Sequence, residues 1–93
     1  MLHQQIGETK EAFLKRIEQQ RDMADLQAIE AAKILARDES KEFSYRNAHG
    51  FDKVLADLQR FRNTSRELTR QAVDIADEIK TDAFIAKWEA ANN

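Results

Sequence analysis

Ile6, Phe13, Ile17, Ala24, Ala28, Ala31 and Leu35 follow one another along the first half of the chain at steps of 7, 4, 7, 4, 3 and 4. Side chains three and four positions apart share one face of a helix, so these residues define a single apolar stripe. The second half is more regular. Phe51, Leu58, Ser65, Ala72, Ile79 and Ala86 recur every seven residues, with Val54, Phe61, Leu68 and Ile75 three positions after the first four. That spacing is a heptad seam of a and d type. Both stripes are narrow, as contact between one helix and one other requires, and neither alternates with the period of two that a strand needs. The pattern predicts an all-α fold: a long antiparallel helical hairpin, able to assemble further into a helical bundle.

Between the stripes, Asp38 to Gly50 gathers polar and turn-prone residues, among them Asn47 and Gly50. Both accept positive φ more readily than most residues, which places the reversal of the chain here. The expected elements are one domain over 1–93, with helix 1 at about 3–38, a turn at about 39–50 and helix 2 at about 51–80. Glu42 and Arg46, four apart, could extend the first helix toward Asn47. Thr81 and Asp82 can each cap a new helix, so 82–91 can form a short third one. A Thr64-x-x-Glu67 capping box also falls in mid-seam, where a break would divide helix 2. Leu68, Ala72, Ile75 and Ile79 nevertheless keep the preceding register, so a continuous helix is expected. In a hairpin turning near Tyr45, Ser65 faces Gln20, Arg21 and Asp25, a polar layer that would fix register.

Composition favours the same picture. The chain has no proline and only Gly7 and Gly50, so almost nothing interrupts a helix. With 93 residues, 42% hydrophobic and 34% charged, it is too apolar for disorder and too charged for a membrane span. A chain of this length has a thin core. It contains no cysteine, which excludes disulfides and thiol chemistry. Met1 to Ile6 lacks the apolar stretch of a signal peptide, and no long apolar run follows, so a cytoplasmic protein without membrane contact is expected.

Chemical motifs are sparse. His3 and His49 are the only histidines, and neither is spaced for shared metal ligation with the other or with a Glu-x-x-His partner. No nucleophile elbow or phosphate-binding glycine loop occurs. Hence no enzyme, cofactor, metal or small-molecule substrate is expected. Arg60, Arg62, Arg66 and Arg70 form the densest basic group, the last three along one stripe, and offer a nucleic-acid-binding alternative. A formal net charge of −2 opposes it, and Asp57, Glu67, Asp74, Asp22 and Asp25 are expected to pair with these arginines.

The informative residues lie off the seams. Met23, Leu26 and Ile29 point away from Ala24, Ala28 and Ala31, and Phe84, Ile85 and Trp88 leave the heptad that ends near Ile79. These six are the candidate partner-binding residues, with a second copy of the chain or another protein as the partner. Trp88 could instead close the hairpin's open end against Leu2 and Ile6. The expected function is a small helical interaction module, such as a regulator, adaptor or chaperone-like protein. In size, lack of cysteine and central glycine turn the chain also resembles type VII secretion substrates, which implies a secreted hairpin as the alternative. The Trp-x-Gly of that family's turn is replaced by Ala48-His49-Gly50, and no Tyr-x-x-x-Asp follows the second helix.

Overall fold

The computed structural model describes residues 1–39 and 49–92. Two helices, α1 over Lys10–Glu39 and α2 over His49–Asn92, lie side by side in a rod of 74 × 23 × 13 Å. They run antiparallel. Lys10 meets Glu78 and Asp82 at one end, the Ser65 hydroxyl donates to the Asp25 carboxylate midway, and Ala31 shares a groove with Val54 toward the turn. Glu42, Arg46 and Asn47, where the reversal was expected, lie outside the described residues, as do the side chains of His49 and Phe51.

The two stripes meet as their spacing requires. Phe13 and Ile17 from α1 and Leu68 and Ala72 from α2 form the buried cluster, with Leu14 and Ile75 partly buried against it. Ile17 has no solvent exposure at all. Toward the turn, α1 contributes only Ala24, Ala28 and Ala31 to the buried surface, opposite half-buried Leu58 and Phe61. Small side chains on one helix leave room for larger ones on the other, which lets the axes stay close. Ser65, at a heptad a position, joins the cross-hairpin hydrogen bond to Asp25 in place of an apolar contact.

Helix α1 starts at Lys10, seven residues later than the expected start near residue 3. Thr9 is its cap: the Ala12 amide donates to Thr9 Oγ1 at 3.1 Å, and the Phe13 amide to the Thr9 carbonyl at 2.9 Å. Just before it, Gly7 holds φ of +80°, a left-handed conformation that glycine adopts without penalty and that ends any upstream helix. Residues 1–9 therefore fold back as an arm. The Gln71 amide clasps the Leu2 backbone in both directions, accepting from its N–H at 3.2 Å and donating to its carbonyl at 2.6 Å. Leu2 thereby reaches the buried cluster, whereas Ile6, expected on the seam, is fully exposed.

Arg16 ties the arm down. Its guanidinium binds both Glu8 carboxylate oxygens at 3.0 and 2.9 Å, donates to the His3 carbonyl at 2.6 Å and lies 5.2 Å from the Phe13 ring centroid. Hydrogen bonds from Arg16 first, then from the Gln5 amide, lower the Glu8 pKa below its ordinary value. At the other end of the chain, 82–91 is a continuation of α2 and forms no separate third helix. No glycine or proline interrupts that stretch, and Asp82 is bound to Lys10 at 2.7 Å. The helix also runs unbroken through Thr64.

Two outcomes follow for stability. Ile17→Ala should cost about 2 to 5 kcal/mol in urea unfolding, a large part of what a small domain possesses. Because the Glu8 pKa is depressed on folding, its contribution is present above the ordinary value of 4.5 and is lost as pH falls through the lower folded value. The melting temperature of the unmodified protein should therefore drop more steeply below that pH than that of Glu8→Gln.

Candidate functional site

A two-helix hairpin covers one face of each helix, and the uncovered faces are where this chain departs from a simple polar surface. On α1, Met23, Leu26 and Ile29 are all more than half exposed, and Ile34 is nearly so. They do not form one patch. Leu26 and Ile34 line a shallow groove of about 330 Å³ together with Ala31, Val54 and Phe61, bordered by Gln27, Glu30 and Asp57. Ile29 lies on the other flank of α1, where with Ala28, Ala32, Asp25 and Arg62 it lines a second recess of about 330 Å³. The sequence reading grouped Leu26 with Ile29 and missed Ile34, which stands eight residues after Leu26 and eleven after Met23 and so falls on the same flank.

The second candidate surface is set by register. Lys10, the first residue of α1, sits against Asp82, so the last ten residues of α2 run on for about 15 Å with no α1 beside them. Phe84, Ile85 and Trp88 occupy this overhang, with exposures of 68, 46 and 59%. Trp88 does not close the hairpin against Leu2 and Ile6, because Leu2 is held at Gln71, well back along the seam. The seam positions of the overhang carry Ala86 and Glu89, both exposed. The larger side chains lie on the remaining faces.

Of the arginine group, Arg60 pairs with Asp57 at 3.3 Å and lies 5.0 Å from the Phe61 ring centroid. The pairings expected for the others do not form: Asp22 is taken by Arg21 at 3.2 Å and Asp25 by Ser65. Arg62, Arg66 and Arg70 are exposed, and among the described residues none of them makes an ion pair. Beyond them an acidic recess formed by Asp74, Asp77, Glu78, Thr81 and Asp82 opens on α2. Lys10 binds at its edge, and the hydrogen bond it donates to the Asp82 carboxylate is the main cause of its raised pKa.

Among the described residues no cluster of histidine and acidic side chains is arranged to hold a metal ion, and no helix is long and apolar enough to cross a membrane. No known protein family, curated protein or solved structure matches this chain. Since residues 83–92 are exposed throughout and Trp88 is 59% exposed, Trp88→Ala should change the stability of the dilute protein by no more than about 0.5 kcal/mol in urea unfolding. A loss of several times that would place Trp88 in the core.

Proposed function

We propose that the chain is a small, non-enzymatic helical interaction module of the cytoplasm, acting by helix-to-helix packing. The observation that supports this most is the uncovered end of α2, where Phe84, Ile85 and Trp88 stand in water on a stretch that the fold itself does not use. A tryptophan flanked by two large apolar residues is the composition of an interface anchor, since aromatic side chains contribute large contact area with few rotatable bonds. The groove between Leu26, Ile34, Val54 and Phe61 adds an apolar recess of the kind that receives a partner helix.

Arg62, Arg66 and Arg70, which make no ion pair among the described residues, favour nucleic acid as a second reading. Against it, Asp74, Asp77, Glu78 and Asp82 follow within the next twelve residues of the same helix and would repel a phosphate backbone continuing along α2. No binding to nucleic acid near physiological salt is expected.

Light scattering at tens of micromolar tests the main reading. The unmodified protein should show at least twice the 10.8 kDa chain mass. A variant carrying Leu26→Glu, Ile29→Glu and Trp88→Ala should fall to monomer mass with its far-ultraviolet helicity intact. An assembly indifferent to all three replacements would contradict the role given to these faces.

A further inference from the structure

The N-terminal arm and the vacant groove share one trough. On α2, Val54, Asp57 and Phe61 line the groove, and Leu68, Gln71 and Ile75 stand two heptads further on, at the buried cluster and the Leu2 clasp. On α1, which runs the other way, Gln27, Glu30 and Ala31 line the groove, and Phe13, Arg16 and Ile17 stand two heptads earlier. A shift of two heptads keeps a residue on the same flank of a seam, so both sets lie along one side of the hairpin, about 21 Å apart. The half toward the turn is open. Leu2 fills the half beside Ile17.

The polar rim decides which half holds the arm. Gln71 stands where the groove has Asp57, and an amide can both accept from the Leu2 N–H and donate to the Leu2 carbonyl, which a carboxylate cannot. Arg16 stands where the groove has Glu30, and its guanidinium takes the His3 carbonyl and the Glu8 carboxylate together. Glu8 adjoins the cap residue Thr9, and its side chain is only 12% exposed, so its pair with Arg16 anchors the base of the arm. Next comes a turn closed by the Glu8 amide donating to the Gln5 carbonyl at 3.0 Å, with Gly7 at positive φ as its third residue. Residues 1–4 lie beyond it. They are attached to the hairpin by the Gln71 clasp, the bond from Arg16 to His3 and the Leu2 side chain, while Met1 and Ile6 stand in water.

We propose that residues 1–4 are a strap that opens and closes over this half of the trough while the two helices stay paired, swinging on the 5–8 turn with Glu8 still held by Arg16. The helices meet without it. Thr9 caps α1 downstream of the strap, Phe13 and Ile17 meet Leu68 and Ala72 directly, and Lys10 binds Asp82 at the open end. A segment with few buried apolar contacts opens at a lower free energy than the fold as a whole, and the strap buries one apolar side chain, Leu2, only in part. Once it opens, Val54, Phe61, Leu68 and Ile75 form one apolar floor about 30 Å long. Closed, it leaves only the groove toward the turn. The length of apolar surface that the hairpin offers is therefore set by the position of residues 1–4. This goes beyond the interaction-module reading and stands without it, since it concerns a single chain.

Thiol labelling of the full chain tests this, because the chain has no cysteine of its own. Leu68→Cys places a thiol under the strap, and Ala24→Cys places one at a buried seam position outside it. At equal helicity by circular dichroism, labelling at position 68 by methyl methanethiosulfonate should be nearly independent of urea below the unfolding transition, since strap opening exposes little surface. Adding Gln71→Met, which keeps the bulk and removes the clasp, should speed labelling at position 68 by about tenfold and leave position 24 unchanged. Arg16→Gln should act in the same direction. Ile75→Cys, partly buried against the same cluster, is the second probe and takes the place of Leu68→Cys if that variant loses helicity. Labelling under the strap that ignores both Gln71→Met and Arg16→Gln overturns the proposal. So does labelling that speeds up equally at positions 68 and 24 and follows urea with the slope of global unfolding, because the arm would then open only with the hairpin.

Discussion

Among the described residues, the contact of Phe13 and Ile17 with Leu68 and Ala72 is the one place where large side chains from both helices are withdrawn from water, and it sets where each helix lies along the other. Burial of apolar area is the main favourable term available to so small a chain, so the register that buries Ile17 completely prevails. Once that register holds, Asp25 meets Ser65 and Lys10 meets Asp82. These polar contacts narrow the choice further, since slipping one heptad would leave Lys10 and its acidic partners apart. The overhang of α2 is then a consequence: a 44-residue helix aligned with a 30-residue helix in this register must extend past it.

Two helices offer each other one stripe apiece, which explains both the economy of the core and the number of apolar side chains left outside it. Alanines at positions 24, 28 and 31 satisfy the seam with little bulk, and their small volume opens the grooves on either flank of α1. The N-terminal arm offsets part of this thinness. By folding back it brings Leu2 to the cluster, closing the core near Ile17 from a side that neither helix covers. Its anchorage through Gln71 and through the Glu8–Arg16 pair explains why half-buried polar residues sit next to the most buried residue of the chain. The exposed faces left over are distributed unequally, with mixed charges along the middle of α2 and the large apolar groups at its end.

The hairpin was legible because heptad spacing reports directly on a two-helix seam: Phe13, Ile17, Leu68 and Ala72 were identified by period alone, and Ser65 by its place within it. The arm was not, since Ile6 stands seven residues before Phe13 and imitates the seam. The competing signal was Gly7 followed by Thr9, a left-handed stop and a helix cap, both purely local features that outweigh one apolar match. The continuation of α2 past Thr81 was also misread, because a residue able to cap does so only where the helix has another reason to end. The exposed positions of Met23, Leu26, Ile29, Phe84, Ile85 and Trp88 were legible from their phase against the seam. Their division between two flanks of α1 was not, because the partner helix decides where a groove opens. That Arg62, Arg66 and Arg70 make no ion pair among the described residues was likewise hidden, since nearby acids in sequence give no measure of which acids are already engaged across the hairpin.

Register is the claim from which the rest follows, and the absence of cysteine makes it directly measurable. Asp25→Cys/Ser65→Cys places the only two thiols of the chain where the seam brings the helices together across the polar layer. Under mild oxidation of the dilute protein this variant should close an intramolecular disulfide, seen as a faster band on a non-reducing gel, because bridging requires the two backbones to be within about 7 Å. The pairs displaced by one heptad, Asp25→Cys/Leu58→Cys and Asp25→Cys/Ala72→Cys, should remain reduced. Closure of either displaced pair in preference to the first would contradict the register, and with it the uncovered end of α2.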